Sequence, residues 1–280
     1  VNTEALGLGL AALSALSTAF AHAMVKAGGD KLAIQAWVRL TGLALALPLI
    51  VVSPLPDAQL LLWLLLAAAA HATYQALLVG SYHLNDFAAA FPIARGTGLL
   101  LTAGGGLLLL GEAVPPGQVF GIALISVGIL AIARLGRMGR AGMALAIATG
   151  VLTATYSLID AHAMRMAPSV AAFLGWFYLF DAIAMPVLFC LRRPAGSRAA
   201  MLRAERRAGT LAGIGSLAAF VPALIAYRYA PAGVVNALRE TSILLALVAG
   251  RIWLGERPGG WHWIAAAAIA GGAVVIVAAA

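Results

Sequence analysis

Apolar residues run through this chain in blocks of about twenty, separated by short clusters of Gly, Pro and charge. The separators read KAGGDK, SPLPDAQ, HLND, GEAVPPG, RLGRMGR, RMAPS, RRPAGSRAAMLRAERR, YAPAG and GERPGG. Roughly 20 apolar residues make a helix long enough to cross a bilayer. The pattern therefore predicts ten spanning helices, over about 4–25, 31–52, 59–82, 86–110, 117–135, 141–162, 169–191, 208–229, 232–254 and 260–279. The first block has no basic start and is read as a spanning helix rather than a cleaved leader.

The same words recur at about half the chain length. AHAM occurs at 21–24 and 161–164, RGTGLLL at Arg95 is echoed by RETSILL at Arg239, and LGE ends at Glu112 and again at Glu256. Echoes at nearly one offset predict an internal duplication, with repeats at 1–136 and 137–280 forming one membrane domain. Five helices per repeat is odd, so the second repeat enters the membrane from the opposite side. The predicted fold is thus an all-α integral membrane protein: ten transmembrane helices as two inverted five-helix repeats around a central cavity. His22 and His162 should then lie near opposite faces, and Arg95 and Arg239 at mirrored depths.

Composition supports the membrane reading. Hydrophobic residues make up 63% of the chain and charged residues 10%, against about 25% charged in a soluble domain. The single cysteine, Cys190, allows no intrachain disulfide and no CxxC site, and no metal-ligand cluster or phosphate loop is present. No cofactor is expected. The net charge of +8 could suggest nucleic acid. Arginines in short loops are better read as orientation anchors on an anionic bilayer face, so no nucleic-acid partner is expected. Of the 18 Lys and Arg, Arg39, Arg95 and Arg239 fall inside spans, and only Arg165 and Arg228 follow even-numbered helices. All the others follow odd-numbered helices. That bias puts the odd loops in the cytoplasm of a cell inner (plasma) membrane and both termini outside.

Ionisable groups inside spans mark candidate chemistry, because a charge in hydrocarbon needs a cavity or a partner. His71, Tyr74, Gln75, Leu78 and Tyr82 form one stripe on the third helix. Thr149, Thr153, Tyr156 and Asp160 do so on the sixth; Phe173, Trp176, Phe177, Phe180 and Asp181 on the seventh; the eighth offers Ser216, Phe220 and Tyr227. Arg95 and Arg239 could clamp an anion bidentately. The competing reading is a salt bridge. Asp86 lies too far along the helix to reach Arg95 easily, and Glu240 points about 100° away from Arg239. The candidate substrate site is His71, Tyr74, Gln75, Tyr82, Arg95, Tyr156, Asp160, Trp176, Asp181, Arg239 and Glu240, with His22 and His162 as coupling or gate candidates. For the aromatic stripes, ordinary packing or an interfacial belt competes with a cavity role. The GxxxG stretch GQVFG at 117–121 and the Ala/Gly-rich tenth helix assign helices five and ten to scaffold or dimer contact.

The chain resembles the drug/metabolite transporter superfamily, in its EamA-type ten-helix branch. The resemblance rests on LLLLGEAVPPGQVFGIALISVGILAI and RIWLGERPGGWHWIAAAAIAGGAVVIV, each an LGE, a Pro/Gly loop and a Gly/Ala-rich last helix, and on HATYQALLVGSYHLNDFAAAFPIARG with its FPIARG element at Phe91–Gly96. It implies a basket of helices with one to four and six to nine lining the cavity, and alternating-access movement of small metabolites, often export. Members are often drawn with both termini in the cytoplasm, against the charge tally here. The reading is a secondary transporter, not an enzyme, for an amino acid or related zwitterion. Arg95 or Arg239 would meet the carboxylate, Asp160, Asp181 or Glu240 the ammonium, and Tyr74, Tyr156 and Trp176 the side chain. Export of cationic drug-like compounds and transport of a phosphonate or other organic anion remain as alternatives. So does an intramembrane hydrolase built on GIGS at 213–216. Proton coupling is open, as is a monomer against a weak homodimer through helices five and ten.

Overall fold

The computed structural model describes residues 3–27, 29–84, 87–133, 139–253 and 259–280. Among them the chain forms eleven helices: α1 (Thr3–Ala27), α2 (Lys31–Val52), α3 (Ala58–Leu84), α4 (Phe87–Leu109), α5 (Pro116–Ala133), α6 (Arg140–Met166), α7 (Val170–Arg192), α8 (Ala195–Ala226), α9 (Ala232–Arg239), α10 (Ser242–Trp253) and α11 (Gly260–Ala278). No strand occurs among the described residues. The expected boundary between repeats at 136 and 137 lies outside them.

Helix starts are set by short polar side chains. Asp30 accepts from the Ala33 N–H at 2.9 Å, Asp57 from Leu60 at 2.7 Å and Ser169 from Ala172 at 3.0 Å. Each satisfies one of the donors that a helix start leaves unpaired. The chain leaves α4 through Gly111 at φ +63, the one described residue in the left-handed region, a conformation that glycine adopts without a Cβ clash. The first LGE motif is therefore a turn followed by a carboxylate.

Two elements differ from the sequence expectation. The expected ninth helix is interrupted: it runs as α9, a tight turn at Glu240 and Thr241, then α10. Across the turn Thr241 donates to Leu238 at 3.1 Å and Ile243 to Glu240 at 3.0 Å, three residues back rather than four. No Gly or Pro causes it. The polar run Arg239–Glu240–Thr241–Ser242 sits there, and Thr241 Oγ1 also donates to the Leu238 carbonyl at 2.6 Å, so a side chain competes for the helix ladder. The second difference is the basic stretch before the eighth span, expected to be loop. It is helical from Ala195, and α8 runs for 32 residues. Leu202 and Met201 pack near Phe189, Ala33 and Ala36, and the Leu202 carbonyl accepts from Trp37 Nε1 at 2.8 Å.

Helix crossings are close and small-residue lined. α5 and α11 run antiparallel: Gly121 meets Gly272 and Ile276, Gly128 meets Ala265 and Ile269, and Gly117 meets Ala279. The GxxxG face is thus used within the chain. α2 and α7 are also antiparallel, with Gly42 against Tyr178 and Gly175 against Ile50. So are α4 and α9, where Ala103 meets Gly233 and Arg95 meets Glu240. α1 packs on α8 and α3 on α6. α4 runs parallel to α6, since Ala94 and Gly98 meet Gly150 and Gly105 meets Leu158. α1 likewise runs parallel to α9, through Gly7 near Ala230 and Ser14 near Arg239.

A Cβ on Gly128 would come within 2.9 Å of the Ala265 carbonyl oxygen. Gly128→Val should therefore destabilise by about 1–3 kcal/mol through overpacking. Gly9→Ala, which meets nothing within 4 Å, is the control. Thermal unfolding in detergent should show a clear fall for the first and little for the second.

Candidate functional site

Polar groups inside the helices collect where the two halves of the chain meet. Arg39 on α2 contacts Asp181 on α7 directly, guanidinium to carboxylate. Arg95 on α4 grips Glu240 at the α9–α10 turn with two bonds, Nε to Oε2 at 2.9 Å and Nη2 to Oε1 at 2.8 Å. His71 on α3 meets Asp160 on α6, Nε2 to Oδ2 at 2.9 Å. Each pair joins a helix of the first half to one of the second, and all six side chains are buried. The Arg95 pair has the two-point geometry that suits guanidinium and carboxylate.

Arg239 on α9 is different. Its Nε donates to Ser14 Oγ at 3.0 Å, and Ser14 in turn donates to the Ala219 carbonyl at 2.5 Å. Its guanidinium carbon lies 4.8 Å from the Phe220 ring centroid. It is 6% exposed. Among the described residues it has no acidic partner within salt-bridge distance.

Aromatic rings surround the His71–Asp160 pair. The His71 ring lies 4.3 Å from Tyr156, 5.2 Å from Phe177 and 5.7 Å from Phe220, and Tyr74 sits edge-on to Tyr156 at 5.3 Å. Phe220 therefore touches both His71 and Arg239. Two buried oxygens nearby have no hydrogen-bond partner among the described residues, Gln75 Oε1 and Asp160 Oδ1.

Several candidate residues have partners within the chain. Arg95, read as an anion clamp with a salt bridge as the competing reading, pairs with Glu240 across the interface rather than along its own helix. Asp181 and Glu240, two of the three candidates for an ammonium, both face arginines. Trp176 was grouped with the binding tyrosines. Its Nε1 donates to the Pro54 carbonyl in the α2–α3 connection at 2.9 Å, so it serves the end of the helix, where amphipathic rings sit. Thr149 and Thr153 turn their hydroxyls back to carbonyls four residues earlier, and Thr153 packs against Gly98. His162 sits 4.5 Å from the Trp63 ring, at the end of α6. The side chains of His22, Leu78 and Tyr82 lie outside the described residues.

Sequence reasoning missed Ser14 and a second polar knot. Asn236 donates to Thr102 at 3.2 Å and to Ser157 at 3.0 Å, and accepts from the Tyr227 hydroxyl at 2.6 Å. This satisfies a buried amide and fixes α9 against α4 and α6. An asparagine in the middle of an apolar span was the signal available for it.

At the far end of α9, the carboxylate of Glu112 accepts from the Ala232 N–H at 2.9 Å and 3.0 Å, capping that helix, and pairs with Arg165 at 2.5 Å. Arg165 also donates to the Tyr227 carbonyl at 2.8 Å and the Ala230 carbonyl at 3.2 Å. A cleft of about 240 Å³ opens there, beside Arg228 and Tyr229. Glu112→Gln should lower stability by about 1–3 kcal/mol, because a charge-assisted cap and an ion pair are lost together. Thermal unfolding reads this directly.

Six of the described helices, in α2, α3, α6, α7, α8 and α11, are long and apolar enough to cross a membrane. Their outward faces are apolar, as at Leu45, Leu62, Ile147, Ile183 and Ile264. Such surface is stable against lipid, where helices satisfy their own backbone polar groups. The chain is a multi-pass membrane protein. Residues 140–278 match the EamA-like transporter family, consistent with a membrane transporter of the drug/metabolite type. A protein of known crystal structure is similar in fold over 99% of this chain and 98% of its own, with a TM-score of 0.71 and 21% identity. No curated protein matches.

Proposed function

We propose that the protein moves a small metabolite bearing a carboxylate, with an amino acid as the first candidate, by alternating access between two inverted five-helix repeats. The observation that carries the substrate class is Arg239, buried and without an acidic partner among the described residues. A guanidinium in a low-dielectric site favours an anion, and carboxylate fits its fork. The rings of Tyr74 and Tyr156 offer π faces to an ammonium or an apolar side chain, and Gln75 Oε1 offers an acceptor. The occupation of Asp181 and Glu240 by arginines favours a second reading, an organic anion with no ammonium, over a cationic drug-like compound.

The antiparallel crossings support the inverted repeat. Helices that correspond at an offset of about half the chain, α2 with α7, α4 with α9 and α5 with α11, run against each other. Contacts also come in exchanged pairs: Gly121 with Gly272 is mirrored by Gly128 with Ala265 at the 144-residue offset. Alternating access in an inverted repeat would exchange the packings of the two halves.

The hydrolase alternative loses support, since among the described residues Ser216 makes no hydrogen bond to a histidine. Arg165, one of two basic residues after even-numbered helices, is ion-paired with Glu112. The inner-membrane location with external termini stays as the reading of the charge bias. A cytoplasm-dependent fluorescent protein fused to the C-terminus should be dark; fluorescence would reverse the orientation. For function, purified protein in liposomes should take up at least one member of a radiolabelled amino-acid mixture, and thermal shift should identify it. Uptake of organic anions alone would favour the second reading, and neither uptake nor shift would sink both.

A further inference from the structure

We infer that His71 and Asp160 form a one-proton binding site, coupled electrostatically to Arg239, through which a proton accompanies the substrate carboxylate; the coupling rests on the proposed transport reading. The argument is one of charge balance in a buried cluster. Arg39 with Asp181 and Arg95 with Glu240 are two pairs of opposite charge. What remains is Arg239, one acid in Asp160, and the imidazole of His71.

His71 and Arg239 share one ring. Phe220 lies edge-on to His71 at 5.7 Å between ring centroids, and its centroid is 4.8 Å from the Arg239 guanidinium carbon. With neutral His71, the carboxylate of Asp160 balances the charge of Arg239. A substrate carboxylate that arrives at Arg239 without an ammonium of its own, the organic anion of the second reading, replaces that balance and leaves the buried Asp160 charge uncompensated, which hydrocarbon penalises heavily. One proton restores neutrality. The pair can take it without breaking its bond: Nε2–H of the neutral ring already donates to Oδ2, and the new proton joins Asp160 Oδ1, which is buried and unpartnered among the described residues. A proton from one aqueous side forms that O–H bond and is given up on the other.

The groups facing the pair are few. α3 contributes Tyr74, α6 Tyr156, α7 Asp181 and Tyr178, the end of α8 Tyr227, and α9 Arg239. Asp181 is held by Arg39, and the tyrosines are neutral at ordinary pH. Arg239 is therefore the unbalanced charge that the pair feels.

The test has a substrate-free arm and a transport arm. In reconstituted protein, infrared difference spectra across a pH titration should show one protonated-carboxyl band that is lost in Asp160→Asn. In Arg239→Gln the band should persist to a pH higher by about one unit or more. Absence of an Asp160-dependent band in wild type, or an unchanged midpoint in Arg239→Gln, overturns the proton site or its link to Arg239. In liposomes given radiolabelled organic monocarboxylates in the external medium, Asp160→Asn should lose accumulation driven by a pH gradient, by tenfold or more, while keeping exchange at equal pH. Wild-type accumulation in Asp160→Asn overturns the coupling. His71→Gln, which keeps a hydrogen-bonding group opposite Asp160, guards against a folding artefact and should behave likewise. If wild-type protein takes up no organic anion, the anion reading of the substrate fails, and the infrared arm still decides the proton site.

Discussion

Replacing Arg239 by alanine is expected to cost about 2–5 kcal/mol of substrate binding, roughly 30- to 4,000-fold in Kd, while the protein still folds. The reason is its isolation from acids. A guanidinium already neutralised by a carboxylate has little to offer a second one, and Arg95 is in that state through its two bonds to Glu240. Arg239 meets a serine hydroxyl, the face of Phe220 and the Tyr227 hydroxyl, all uncharged, so its guanidinium is the strongest anion-seeking group in the cluster. Arg239→Lys should still weaken binding by about tenfold or more, since an ammonium keeps the charge and loses the planar fork and its stacking on Phe220. Arg95→Lys should change affinity little and lower thermal stability instead. Equilibrium binding and thermal unfolding, measured on the same preparations, separate the two arginines. Equal losses of affinity in both would show that Arg95 leaves Glu240 to hold substrate, and unchanged affinity in Arg239→Lys would remove the anion reading.

The two arginines were legible in the sequence as a pair, and their different roles were not. The echo of RGTGLLL in RETSILL suggested equivalent positions, but the packing of the helices decides which acid each arginine meets. A helical wheel placed Glu240 away from Arg239, correctly, and gave no sign that this aimed it at Arg95 on the opposing helix. The turn at Glu240 and Thr241 was hidden for a related reason, because no Gly or Pro announces it and the cause is competition from polar side chains. Spans and glycine-rich crossings were legible because hydropathy and close approach are written residue by residue. The helical start of α8 was masked by its own charges. Ala, Arg, Leu, Met and Glu are good helix formers, and a helix that projects beyond the apolar region can carry them; Glu205 accepts from the backbone of Gly29 and Asp30 at 3.1 Å and 3.0 Å. On the third helix the stripe located His71 and Tyr74 beside Asp160 and Tyr156 on the sixth. On the seventh it could not separate Asp181, which faces Arg39, from Trp176, which reaches the Pro54 carbonyl, because one period serves both depths.

The largest stability effect is expected at Arg39 and Asp181. Both are buried, and they tie α2 to α7 across the interface of the halves. Asp181→Ala leaves the Arg39 charge in a dry interior without its counter-ion, at a cost of about 3–5 kcal/mol. That is a large fraction of the stability of an ordinary domain, so the variant should unfold well below wild type or fail to accumulate. Arg39→Leu should do comparable harm by stranding the carboxylate. The double variant, Arg39→Leu with Asp181→Leu, removes both charges and fills the space with apolar groups. Replacing a buried pair in this way is often neutral or stabilising, so the double variant should recover most of the loss. The interaction energy from the double-mutant cycle should then be large and of the sign that marks direct coupling. Additive losses would mean that each residue acts through other neighbours. The same double variant also separates fold from transport. If the pair only joins α2 to α7, the restored protein should bind substrate as wild type does; if the contact must break and re-form as the halves rock, binding should survive while the rate of exchange changes.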